Sequence, residues 1–141
     1  MKIMIVDDSK LLQTRLINAL IKVDENMNIS LASSRKEAAD MFSLLNPDTM
    51  ILDIALPDGS GINLLQQFKK EAPAVHVVML TNYPTDEFKK DCMELGADYF
   101  FDKSEINGLS LVRQPYFLTP LRIAYFRNVT GCSSILPLKM I

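Results

Sequence analysis

The chain has 141 residues, 48% of them hydrophobic and 23% charged, with a formal net charge of -2. That is the size and composition of one globular domain. It leaves no basic footprint for nucleic acid, and no run approaches the roughly 18 apolar residues of a membrane span. Cys92 and Cys132 match neither a metal-ligand spacing nor a disulfide framework. The opening Met1–Asp8 does not read as a signal peptide, because acidic residues cut its apolar run short. The expected setting is therefore cytoplasmic, with neither nucleic acid nor membrane as a direct partner.

The charge is unevenly spread. Residues 1–105 hold 11 basic and all 17 acidic residues, a net -6, whereas residues 106–141 hold four basic residues and no carboxylate. Two units are expected: a folded domain over 1–105 and an atypical tail over 106–141.

In chain order, Ile3–Val6 is a short apolar strand stopped by Asp7. Lys10 to about Val23 spaces Leu11, Leu12, Leu16, Ile17, Leu20 and Val23 largely as a helix, with Gln13, Arg15, Asn18 and Lys22 between them. Ile29–Ala32 is a weaker strand, and Ser34 with Glu37 reads as a capping box. The helix it opens carries Ala38, Met41, Phe42 and Leu45 and ends before Pro47. Thr49–Ile54 is apolar throughout, as in a strand covered on both faces. A helix of about ten residues follows Gly61, which is expected there to allow a tight backbone turn. Val75–Leu80 is the fourth strand, Thr85 opens another helix, and Asp98–Phe101 is the fifth strand. Alternating strands and helices predict a doubly wound α/β fold around a five-stranded parallel sheet.

In such folds ligands bind outside the carboxyl ends of the strands. Those positions here hold Asp7 and Asp8, Asp53, Thr81 and Lys103. Three carboxylates gathered at one sheet edge repel one another unless a cation sits among them, and hard oxygen ligands suit Mg²⁺. Each residue has a bland reading by itself: a solvated turn for Asp7 and Asp8, a strand end for Asp53, a cap for Thr81, a surface charge for Lys103. Their occurrence together, in order and at successive strand ends, does not.

The combined motifs, Ile5-Val-Asp-Asp-Ser9, Ile51-Leu-Asp-Ile-Ala-Leu-Pro-Asp-Gly-Ser-Gly61, Met79-Leu-Thr81 and Gly96-Ala-Asp-Tyr-Phe-Phe-Asp-Lys103, resemble the receiver domain of two-component response regulators over residues 1–105. The resemblance implies the flavodoxin-like (CheY-like) receiver fold. It implies Asp53 as phosphoacceptor and Asp8 as a direct Mg²⁺ ligand, with Asp7 assisting through water and the Ala55 carbonyl completing the set. Thr81 and Lys103 would hold phosphoryl oxygens. The phosphoryl donor would be a sensor histidine kinase or phosphotransfer protein, and the product a self-hydrolysing acyl phosphate in a signalling domain rather than an enzyme. Phe100 takes the place of the switch aromatic, where Tyr is common, and has no hydroxyl to present. Ser104 follows the lysine where many receivers have Pro, so a trans peptide is expected.

A receiver closes with a fifth amphipathic helix, but Gly108 and Pro115 break one here. The fifth helix is expected to be missing or replaced, either by a segment at 119–130 capped by Thr119-Pro120 or by a foreign tail that packs poorly. No effector domain is recognisable, so output is expected through protein–protein contacts with a downstream protein or in a phosphorylation-dependent homodimer. Two alternatives stand beside this reading. One is a degenerate receiver acting as an interaction module. The other is a haloacid-dehalogenase-type phosphatase, which needs a general acid where this chain has Ala55.

Overall fold

The structure, a computed structural model, describes residues 1–105; the expectations for the tail fall outside them. Strands β1 (Lys2–Val6), β2 (Asn28–Ala32), β3 (Thr49–Asp53), β6 (His76–Thr81) and β7 (Tyr99–Asp102) form one sheet in the order β2-β1-β3-β6-β7. All four pairings are parallel. Helices α1 (Lys10–Ile21), α2 (Arg35–Leu45), α3 (Gly61–Glu71) and α4 (Asp86–Glu94) make the crossovers. The predicted strands match within a residue or two at either end.

Because side chains alternate along a strand, the sheet feeds two cores. Met4, Val6, Met50, Leu52, Val77 and Met79 face α2, α3 and α4, meeting Phe42, Leu64, Leu65, Phe68 and Cys92. Ile3, Ile5, Ile51, Val78 and Leu80 face α1 through Leu16 and Leu20. Burying each such side chain contributes about 1.5–3 kcal/mol, and the Phe42 and Phe68 rings add stacking at 4.0 Å between centroids. The outward apolar positions on α1 are Leu11 and Ile21.

Several local expectations change form. Ser34 caps α2 by accepting from the Glu37 N–H, but the Glu37 carboxylate reaches back to the N–H of Ser33 instead of Ser34. Helix α2 ends on Asn46 in the left-handed region, φ 45°, one residue before Pro47. Gln13, read as a polar position between core residues, is buried. Lys69 is also drawn inward and donates to the Val75 carbonyl at 2.6 Å. A short hairpin not apparent in the sequence pattern, β4 (Ala55–Leu56) and β5 (Gly59–Ser60), lies between β3 and α3. Gly61 is glycine for a reason other than a turn: a Cβ there would stand 1.8 Å from the carbonyl oxygen of Asp53.

Candidate functional site

The carboxyl ends of β1, β3, β6 and β7 deliver the predicted residues to one edge of the sheet. Asp7 follows β1 and is held from both sides, its N–H donating to Ala32 O at 3.0 Å and its Oδ1 accepting from the Ser9 N–H at 2.8 Å. Gln13 Nε2 donates to the Asp7 carbonyl at 2.6 Å, so the buried amide fixes the backbone that carries the first acid. Asp8 beside it is exposed. Asp53 ends β3 in register with Leu80, which places Thr81 one residue farther along the neighbouring strand. Its Oδ1 accepts from the Ala55 N–H at 3.2 Å.

Asp7, Asp8 and Asp53 each present a carboxylate oxygen such that the three lie within 4.8 Å of one another. Lys103, just past β7, donates to Asp53 Oδ2 at 2.6 Å and pairs with Asp7 Oδ2 at 2.5 Å. All three of these side chains are nearly enclosed. Burial works against the lysine's charge, but its hydrogen bonds to Asp53 and Asp7 outweigh that and hold its pKa above the ordinary value. For Asp53 the balance goes the other way. Burial, with the nearby charge of Asp7, raises its pKa despite the contact with Lys103. One lysine does not neutralise the carboxylates that crowd it.

Thr81 is fully buried, and its Oγ1 accepts from the Tyr83 N–H at 2.9 Å. That leaves the hydroxyl proton free for another oxygen. Phe100 is half-buried against the α2–α4 core, while Tyr99 and Phe101 stack together on the opposite face, centroids 6.0 Å apart. Tyr99 therefore does not take over the Phe100 position. No peptide bond among the described residues is cis, so Ser104 follows Lys103 in the expected trans form.

The three acids offer the hard oxygen set that Mg²⁺ takes, and the crowding of negative charge is what a divalent cation relieves. Residues 3–111 match the family model described as response regulator receiver domain. The chain belongs to that family. The receiver match runs past residue 105, where the charge balance of the sequence changes.

Among relatives, the receiver is 32% identical over 112 residues to the DNA-binding transcriptional activator DevR/DosR of Mycobacterium tuberculosis, covering 79% of this chain and 51% of that protein. It is 31% identical over 133 residues to a protein-glutamate methylesterase/protein-glutamine glutaminase of Treponema denticola, covering 90% of this chain and 35% of that one. The chain thus spans about half of the first of these curated relatives and about a third of the second. A crystal structure of a CheY-like receiver domain protein from Methanospirillum hungatei superposes with a TM-score of 0.70 at 25% identity, over 80% of this chain and 88% of that one. The five-stranded parallel sheet with its helices is the CheY-like receiver fold. Among the described residues, no helix is long and apolar enough to cross a membrane.

Two further residues lie away from this edge of the sheet. His76 begins β6, at the end of the sheet opposite Thr81, and is partly exposed. Cys92 is buried, and burial with the charge of Asp91 pushes its thiol up to about 11, which leaves it inert at neutral pH. Two residues near the site were not singled out from the sequence: Gln13, described above, and Asp58. Asp58 Oδ1 and Oδ2 accept the Arg35 and Lys36 N–H groups at 2.7 and 2.9 Å. Asp58 stands in the Leu-Pro-Asp-Gly run, a turn signature, but its partners are 23 and 22 residues away.

Proposed function

We propose that this receiver accepts a phosphoryl group on Asp53 from a phosphohistidine of a sensor histidine kinase or phosphotransfer protein, in a Mg²⁺-dependent reaction. It then signals through protein–protein contacts, with a downstream protein or a second copy of the chain. The observation that carries this reading is the Asp53 carboxylate itself, enclosed at a strand end with Lys103 on one oxygen, the Ala55 N–H on the other, and Asp7 and Asp8 alongside.

Phosphoryl transfer asks a protein mainly for positioning and charge stabilisation. In this reading an Asp53 oxygen forms a bond to phosphorus as the phosphorus–nitrogen bond to the donor imidazole breaks, and the imidazole leaves with a proton. Lys103 holds one phosphoryl oxygen and the Thr81 hydroxyl another. Asp7, Asp8, Asp53 and the Ala55 carbonyl would hold Mg²⁺, which when bound supplies the positive charge that lets an anionic group approach three carboxylates. Residues 1–105 are the phosphoacceptor unit of this scheme, and the carboxylate-free remainder is not assigned an effector activity. Phosphatase turnover is disfavoured because Ala55 stands where a general acid is needed.

Acetyl phosphate and Mg²⁺ should add the mass of one phosphoryl group as a base-labile adduct, absent in Asp53→Asn. A wild-type protein that gains no such mass overturns the proposal.

A further inference from the structure

The two acidic loops of the site meet at a third segment that supplies no carboxylate, the junction between β2 and α2. On one side the Asp7 N–H donates to Ala32 O at 3.0 Å, Gln13 Nε2 bridges Asp7 O and Ala32 O, and Lys10 Nζ donates to Ser33 Oγ at 2.8 Å. On the other side the hairpin after Asp53 is tied down through Asp58, whose two oxygens take the first two N–H groups of α2. Arg35 returns the contact, its Nη1 donating to the Asp58 carbonyl at 3.3 Å. Gly59 makes room for that arm: it adopts φ +138°, and a Cβ there would stand 2.4 Å from Arg35 Nη1.

We propose that Asp58 is a positioning residue for the divalent cation. By fastening the 55–60 hairpin to the amino terminus of α2, it sets where Ala55 stands relative to Asp7 and Asp53. This rests on the reading of the acidic cluster as a metal site. Each hairpin strand has two residues, too short to hold its own position. Its base is fixed by β3 and by the Gly61 N–H donating to Ile54 O at 2.7 Å, and its tip is fixed by Asp58. A carboxylate facing two unpaired N–H groups at a helix start is a strong anchor, because the acceptor is charged and the helix dipole favours it. Ala55 pairs with Ser60 across this hairpin, so a shift at the tip is passed to the residue whose carbonyl is the expected ligand. The junction thereby gauges the distance between the two acidic loops while touching neither ion nor phosphate.

The test uses Mn²⁺ as probe on the full chain, with free Mn²⁺ read by electron paramagnetic resonance and no phosphoryl donor present. Asp58→Ala should weaken Mn²⁺ binding by at least about tenfold, the effect usual for groups that support metal ligands. Asp58→Asn keeps one acceptor and should fall between. Ser34→Ala supplies the structural control: it removes another cap of the same helix, the acceptor of the Glu37 N–H at 3.1 Å, without touching the hairpin. Its Mn²⁺ affinity should match wild type even where its thermal midpoint falls as far as that of Asp58→Ala. In the metal-free protein, hydrogen exchange at the Leu56 and Gly59 amides should quicken in Asp58→Ala and not in Ser34→Ala. Wild-type affinity in Asp58→Ala, or equal weakening in Ser34→Ala, overturns the role given to Asp58. Absence of Mn²⁺ binding by the wild type overturns the metal reading itself, and this inference with it.

Discussion

The two ends of the parallel sheet carry opposite charge arrangements. At the carboxyl end, Asp7, Asp8 and Asp53 crowd together, and Lys103 pairs with Asp7 and Asp53. At the amino end the Asp98 carboxylate accepts the Val77 N–H at 2.8 Å and Lys69 Nζ at 3.4 Å, with His76 Nδ1 3.6 Å away. Burial pushes both Asp53 and Asp98 upward, but at Asp98 the neighbouring His76, the hydrogen bond from the Val77 N–H and the charge of Lys69 together outweigh it and leave the pKa lowered. At Asp53 burial and Asp7 win, and it is raised. One end joins β6 and β7 to α3 and is satisfied as it stands. The other leaves negative charge in excess, as a site that takes up a cation would.

The comparison is broken most forcefully at Lys103. Lys103→Met leaves Asp7 and Asp53 enclosed without their cation and should cost about 3 kcal/mol in thermal or denaturant unfolding without metal. Mg²⁺ should recover part of that loss; a variant as stable as wild type would mean that the lysine does not hold the acids together. Next in size is Asp98→Asn, expected to cost about 1.5–2 kcal/mol at pH 7 through loss of charge-assisted hydrogen bonds. Because the folded pKa of Asp98 lies below its unfolded value, near 3.9, this contribution is fully present above that value. It is lost as pH falls through the folded pKa. Melts of the two proteins should therefore converge in strong acid.

The smallest effect, and the sharpest in sign, belongs to Asp53→Asn. With the folded pKa raised, ionisation of Asp53 opposes folding at pH 7, so the variant should unfold no earlier than wild type. Any advantage should shrink as pH falls through the folded pKa toward the unfolded one. Paired melts of Asp53→Asn and Asp98→Asn thus compare one chemical change at two ends of one sheet. Equal losses would show that the Lys103 contact outweighs the crowding and that the two ends do not differ.

Much of the fold was legible because buried parallel strands read as unbroken apolar runs, and each ends on a polar residue. Asp7, Asp8, Asp53, Thr81 and Lys103 could be placed at one edge from that rule alone. What escaped depends on contacts distant in sequence. Gln13 looks like any polar residue on an amphipathic helix until Asp7 and Ala32 present carbonyls to it. Lys69 combines an apolar stem with a charged tip, and only the fold puts Val75 and Asp98 within its reach. The 55–60 hairpin is too short to show a period, and the partners of Asp58 belong to another helix.

Gly61 extends that lesson to sequence change. Its missing side chain leaves room for the main chain of Asp53, so even the smallest branch would push against the proposed phosphoacceptor. Any lineage that keeps this backbone is confined at position 61 to one of the twenty side chains. A saturation library selected for signalling should therefore be as empty there as at Asp53, although position 61 contributes no chemistry of its own.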